Sequence, residues 1–290
     1  MTKTNDRVGC DIVWPGSGYH NLAIRGIGGH IKFRAKGTPD VLESVLPDAR
    51  ATARVRTKRV QDDDGIRVLV EAARLVSESI GDQTVVATSQ WAPLTLGGLA
   101  FGVENLMRGT HKDKAAVHAV VEFAAELCFD YLEPFIDAGV SMISLADPTA
   151  SGDLISREQF VEFALPCLKR VAESIRARGV WVMVHICGDT TTRLDRIPEV
   201  GAHIMSVDYK VDLSDVRRIL GGRIAFAGNL NPVAIMQAES TQGVAKASRD
   251  AIRRAGVTPG YVLMPGCDIP PSVPIENVAS MVATAHAYSL

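Results

Sequence analysis

The chain has 290 residues and is close to neutral, with 31 Lys plus Arg against 33 Asp plus Glu. A hydrophobic fraction of 47% and a charged fraction of 22% are those of a globular protein long enough to bury a large core without disulfide or metal staples. The even charge argues against bulk electrostatic binding of nucleic acid, no apolar run reaches the roughly 18 residues that span a bilayer, and the opening MTKTNDRVG lacks an apolar signal core, so a cytoplasmic protein is expected.

In chain order, a weak strand is expected over Asp11–Trp14. Arg50 to Arg59 is rich in basic residues and runs into the acidic triplet Asp62, Asp63, Asp64; this reads as a solvated connection. From residue 66 a rhythm sets in. Ile66, Leu69, Val70, Ala73, Val76 and Ile80 recur at helical spacing up to a stop at Gly81-Asp82. Thr84–Ser89 is a β-branched strand. A long helix fits Lys114–Ala138 and closes at Gly139. Met142–Leu145 is a strand that runs into Asp147-Pro148. Ser156 opens the next helix with Gln159 placed for a capping box; Pro166 kinks or divides it, and Gly179 ends it. Strands are expected at Val180–Cys187, His203–Asp208, Arg223–Gly228 and Tyr261–Met264, each followed by a helix-compatible segment, and a last helix runs from near Pro274 to residue 290.

Strands alternating with helices imply a parallel sheet, and strands apolar throughout imply cover on both faces. The expectation is an α/β fold, a single TIM-type (β/α)8 barrel domain over 1–290, with a divergent part at 1–65 and a barrel core at 66–290. Six good strands and a weak seventh leave it apparently shortened at the N-terminus.

The distinctive residues gather at the C-terminal ends of these strands, the face that carries the active site in such barrels. They are Asp147-Pro148, His185-Ile186-Cys187-Gly188, Asp208, Gly228-Asn229 and Gly266-Cys267. Residues two apart on a strand face the same way, so His185 and Cys187 share a side, and Cys267 ends the last strand of the same barrel. One imidazole and two thiolates form a soft, zinc-selecting set that leaves a fourth position open. The H-x-C spacing alone also fits ordinary buried cysteines. Gly188 and Gly266, beside the two cysteines, let the backbone pass close to a bound group. A sulfur-rich set keeps a bound thiol nucleophilic and leans toward alkyl transfer and away from hydrolysis.

SLADPTASGDLIS (144–156), VHICGDT (184–190), SVDYKVDL (206–213), AGNLNP (227–232) and GCDIPPSVPIENVASMV (266–282) resemble the uroporphyrinogen decarboxylase superfamily, in particular its cobamide-dependent methyltransferase branch. The resemblance covers 80–290 well and 10–50 loosely. It implies a (β/α)8 barrel, a Zn²⁺ held by His185, Cys187 and Cys267, and a methyl group exchanged between a small thiol or methylated donor and the cobalt of methylcobalamin carried by a partner corrinoid protein. The alternative activity in the superfamily is metal-free decarboxylation of a porphyrinogen. The arginine-rich motif that such decarboxylases use has no match here, the nearest text being AIRGIGG (23–29). Asn231 stands where the family often has an acid.

Asp147 is expected either to orient substrate or complete the metal sphere, or to serve as a turn residue; Asp153 and Glu276 share that ambiguity. Asp208 is expected behind His185 as its hydrogen-bond partner, and Asn229 on the pocket wall. Gly188, Gly228 and Gly266 are expected to border the cofactor. Trp91 to Thr95 either wall the barrel mouth or pack as a loop. His20, His30, His111, His118, His203 and His286 are expected to be surface or satisfied core residues.

Overall fold

A computed structural model describes residues 1–256 and 260–288. The chain begins with α1 (Thr2–Val8), β1 (Ile12–Val13) and α2 (Leu22–Gly26), followed by a short antiparallel pair, β2 (Ile31–Lys32) and β3 (Asp40–Val41). The basic stretch then forms two 3₁₀ turns, Ala49–Arg54 and Thr57–Asp62. They are solvated, as the charges require, except for Ala51 and Val60, which are buried.

The repeating part follows as α3 (Asp64–Ile80), β4 (Val85–Trp91), α4 (Pro93–Phe101), α5 (Val103–Lys112), α6 (Lys114–Asp137) and β5 (Met142–Ala146). The next helix starts as α7 (Arg157–Gln159), passes through a π-helical turn at Phe160–Ala164 and resumes as α8 (Leu165–Arg176). Ser156 and Gln159 make the reciprocal capping box. Pro166 sits in the first turn of α8, where its missing N–H costs nothing, and so marks the division. The remainder is β6 (Trp181–Ile186), β7 (Ile204–Val207), α9 (Leu213–Leu220), β8 (Ala225–Leu230), α10 (Thr241–Ala255), β9 (Tyr261–Pro265) and α11 (Ile275–His286). The end of the expected last helix, residues 289 and 290, lies outside the described residues.

Seven strands form one parallel sheet in the order β1-β4-β5-β6-β7-β8-β9. The sequential order with helical crossovers is the TIM-type arrangement. The sheet curls, because Ala87, Met142, Met183, Ile204 and Ala227 from five strands form one inner cluster, joined by Ile12 of β1, by Trp14 just after it and by Val262 and Met264 from β9. The two edges thus meet over a shared filling without pairing. Met183 is 1% exposed there, and truncating such a side chain to Ala costs about 2–5 kcal/mol. The larger outer core lies between the sheet and its helices. Asp11 joins His286 of α11 at 3.0 Å across the seam between β1 and β9. Among the described residues no helix is long and apolar enough to cross a membrane.

Candidate metal centre at the barrel mouth

His185 is the fifth residue of β6, and Cys187 follows the strand's last residue. Cys267 lies two positions beyond β9. The ligand atoms of these three residues all fall within 4.8 Å of one another, although the two cysteines are eighty positions apart in the chain. The two Sγ atoms are 3.3 Å apart. His185 Nδ1 is 3.0 Å from Ser206 Oγ, while its Nε2 is buried with no hydrogen-bond partner among the described residues. An imidazole nitrogen left without a partner next to two thiols is the donor set of a soft divalent ion, so these residues fit zinc. Without an ion the sulfurs share a proton. The hydrogen bond between them, aided by burial, raises the Cys187 thiol well above its ordinary pKa. The same bond, with the His185 imidazole close by, lowers Cys267.

Asp208 is 2% exposed and sits behind Cys187, not behind His185. Its Oδ2 is 3.3 Å from Cys187 Sγ and accepts from Gly188 N at 3.1 Å, and Oδ1 accepts from Lys210 N at 2.9 Å. The partner of His185 is Ser206, which stands directly opposite it in the β6–β7 register. Asn229 is off the cavity wall. Its Nδ2 donates to the carbonyls of Asp208 at 3.0 Å and Val211 at 2.6 Å, tying down the loop that carries Asp208.

Asp147 is fully buried and turned away from the cavity. Its Oδ1 accepts from Thr95 N at 2.8 Å and Thr95 Oγ1 at 2.6 Å, so it caps the first turn of α4 from another element. Its Oδ2 has no partner among the described residues, and burial pushes its pKa up to about 6. Of the two expected roles, the local structural one describes its contacts. Asp153 pairs with Lys210 at 2.7 Å, and Glu276 lies in the first turn of α11, where the helix dipole favours a carboxylate.

The three glycines stand against neighbouring parts of the chain. A Cβ at Gly188 would stand 2.7 Å from Asp153 Oδ2, one at Gly228 2.7 Å from Val207 O, and one at Gly266 2.5 Å from Tyr209 N. The close approach inferred for Gly188 and Gly266 is real, but the approaching group is the chain itself.

A cavity of about 300 Å³ opens over His185, Cys187 and Cys267. Trp14, Ser17, His20, Ser89, Trp91, Ser144, Met264 and Asp268 form much of the rest of its wall. Trp91 therefore does wall the mouth, with its indole N–H donating to Asn21 Oδ1 at 2.7 Å. His20, expected to be surface or core, is a buried residue that also borders this cavity. Its Nε2 is 2.6 Å from Ser89 Oγ, its ring packs 4.6 Å from that of Trp91, and burial pushes its pKa down to about 4. Among the described residues, no Lys or Arg lines the cavity.

Fold and cavity together define a parallel α/β barrel with a soft-metal donor set at the C-terminal ends of its strands. The chain belongs to the uroporphyrinogen decarboxylase family, whose model, "Uroporphyrinogen decarboxylase (URO-D)", matches residues 5–288. It is 29% identical over 258 residues to the methylcobamide:CoM methyltransferase MtbA of Methanosarcina acetivorans, covering 87% of this chain and 73% of that one. It is 28% identical over 248 residues to the uroporphyrinogen decarboxylase of Anaeromyxobacter dehalogenans, covering 81% and 69%. Among solved structures, a methyltransferase from Methanosarcina mazei superposes with a TM-score of 0.89 at 23% identity, over 98% of this chain and 82% of the other, which establishes the shared barrel.

Proposed function

We propose that this chain is a zinc-dependent methyltransferase that moves a methyl group between a corrinoid, presented by a partner corrinoid protein, and a small thiol or methylated donor. The observation that carries this reading is the buried, unpartnered Nε2 of His185 in one constellation with the Sγ atoms of Cys187 and Cys267. The names of the methylcobamide:CoM methyltransferase relatives support the reaction class.

His185, Cys187 and Cys267 would hold the ion, with Ser206 Oγ holding the ring through Nδ1 so that Nε2 is turned to the cysteines. Zinc held there supplies an electrophilic position that keeps a thiol deprotonated at neutral pH. Trp14 and Trp91 narrow the cavity and exclude water from the sulfur. In the thiol-methylating direction, the sulfur–carbon bond forms as the cobalt–carbon bond breaks. The bond pair stays on cobalt, which passes from the +3 to the +1 state, and the thiol proton leaves to solvent. Decarboxylation of a porphyrinogen fits less well, because a substrate carrying several carboxylates needs cationic contacts and this wall has none among the described residues.

The test combines zinc quantification with methylcobalamin demethylation by small thiols. Close to one equivalent of zinc, lost in His185→Ala together with the demethylation, is expected. Less than about half an equivalent in the native chain, unchanged by the substitution, overturns the proposal.

A further inference from the structure

We propose that the thiol taken up at this site has a neutral or cationic far end, as an aminoalkyl thiol does, and that Asp268 with the indoles of Trp14 and Trp91 forms the subsite for that end. The inference rests on the zinc–thiol reading of the site and names the substrate class within it.

The wall supplies the argument. Trp14, Trp91 and Asp268 border the same cavity as the three sulfur and nitrogen donors. A second cleft of about 260 Å³ adjoins it along the seam between β1 and β9, sharing Trp14, Met264 and Asp268 and adding Asp11. Among the described residues, neither hollow is lined by a Lys or Arg. Apart from His185, which belongs to the donor set, the basic group on the wall is His20, which is 3% exposed and held neutral by burial, with its pKa pushed down to about 4. Lys210, the cation nearest in sequence to Asp208, is already paired with Asp153. Asp11 already faces His286 at 3.0 Å, so among the described residues of these walls the formal charge left to meet the far end of a ligand is the carboxylate of Asp268.

A sulfonate or carboxylate tail would meet the like charge of Asp268 with no Lys or Arg on the wall to offset it, which disfavours it. An ammonium tail meets the opposite field. It can hydrogen-bond Asp268 and lie against an indole face, the best aromatic partner for a cation. The seam cleft, lined by Ile12, Val278, Met281 and Val282, gives room for a longer apolar linker between the thiol and its charged end.

The experiment is calorimetric titration of the zinc-loaded protein with three thiols of equal length: 2-aminoethanethiol, 2-mercaptoethanol and 2-mercaptoethanesulfonate. Quenching of tryptophan fluorescence gives a second readout. The aminothiol is expected to bind at least about tenfold more tightly than the sulfonate, with the neutral thiol between them. Asp268→Asn should remove most of the aminothiol's advantage, and Asp268→Lys should reverse the order. Asp268 is exposed, so both variants are expected to fold. Sulfonate binding equal to or tighter than the aminothiol, or an order indifferent to Asp268, overturns the inference while leaving the zinc–thiol reading standing. Failure of all three thiols to bind zinc-loaded protein overturns that reading and this inference with it.

Discussion

Ser206 Oγ lies 3.0 Å from His185 Nδ1, and the two residues are direct partners in the parallel register of β6 and β7. The hydroxyl holds the ring by its Nδ1 edge, and so leaves Nε2 to face the cysteines. Partners of this kind behind a metal-binding histidine are worth about 10–100-fold in metal affinity. Ser206→Ala should therefore weaken zinc binding by that factor, measured by competition with a chromophoric chelator, while Ser206→Thr retains most of it. Affinity within twofold of the parent in the alanine variant would show that the hydroxyl does not orient the ring.

Asp147 gives the chain a pH-dependent stability with a definite sign. Burial raises its pKa in the fold from 3.8 to about 6, against the lowering effect of the hydrogen bonds from Thr95. Between these two values the folded chain holds a proton that the unfolded chain has released. The group's contribution is thus fully present below about pH 4 and is lost as pH rises through 6, by on the order of 3 kcal/mol for a shift of this size. Asp147→Asn cannot titrate, and its amide oxygen can still accept from Thr95. The stability difference between the parent and this variant, taken from urea unfolding at several pH values, should move in the variant's favour from pH 4 to 6.5 and level off above. A difference that stays flat across that window would remove the titration from Asp147.

Much of the barrel was legible because it is written locally. Strand runs such as Val85–Trp91 and Trp181–Ile186 are rich in apolar and β-branched residues and buried on both faces, and the Ser156 capping box and Pro166 division are signals confined to one turn. The donor trio was legible because strand ends converge in a parallel barrel. What escaped depends on pairings the sequence does not carry. Asp208 was assigned to His185 on strand-end proximity, whereas strand register gives the histidine to Ser206, and Asp208 lies against Cys187, the residue just past the end of β6. Ser206 itself could have been found by aligning VHIC with HIMSVD as neighbouring strands. His20 and Ser89, 69 positions apart, meet only because the loop after β1 folds over the barrel mouth. The β2–β3 pair, two residues per strand, has no run long enough to show periodicity.

Gly266 tests whether the second cysteine is delivered by backbone contact. Its position allows no side chain, since a Cβ would stand 2.5 Å from the backbone nitrogen of Tyr209 and 3.2 Å from the carbonyl carbon of Asp208. Both atoms belong to the loop held by Asn229, so neither can give way cheaply. Gly266→Ala should cost about 1–3 kcal/mol of stability. It should also reduce zinc affinity more than a remote substitution of equal thermodynamic cost, because Cys267 is the next residue. Thermal denaturation and chelator competition on the same samples separate the two effects. A full loss of stability with zinc affinity unchanged would mean that the cysteine is placed by β9 and not by the packed glycine.

Asp208 acts on the metal-free site through charge. Its Oδ2 is 3.3 Å from Cys187 Sγ, and this carboxylate adds to the hydrogen bond with Cys267 and to burial in holding Cys187 protonated. Removing the negative charge must favour the thiolate. Asp208→Asn keeps an oxygen that can accept from Gly188 or Lys210 and is close in volume, so the loop should persist. In metal-free protein, alkylation of the peptide containing Cys187, followed by mass spectrometry across a pH series, should then run about tenfold faster near pH 8. The profile should still lie above that of an ordinary cysteine, because the contact with Cys267, the larger cause, remains. Unchanged alkylation at Cys187 would place the carboxylate's charge on Gly188 N and Lys210 N alone, and the thiol's resistance to ionisation would then belong to its sulfur partner and its burial.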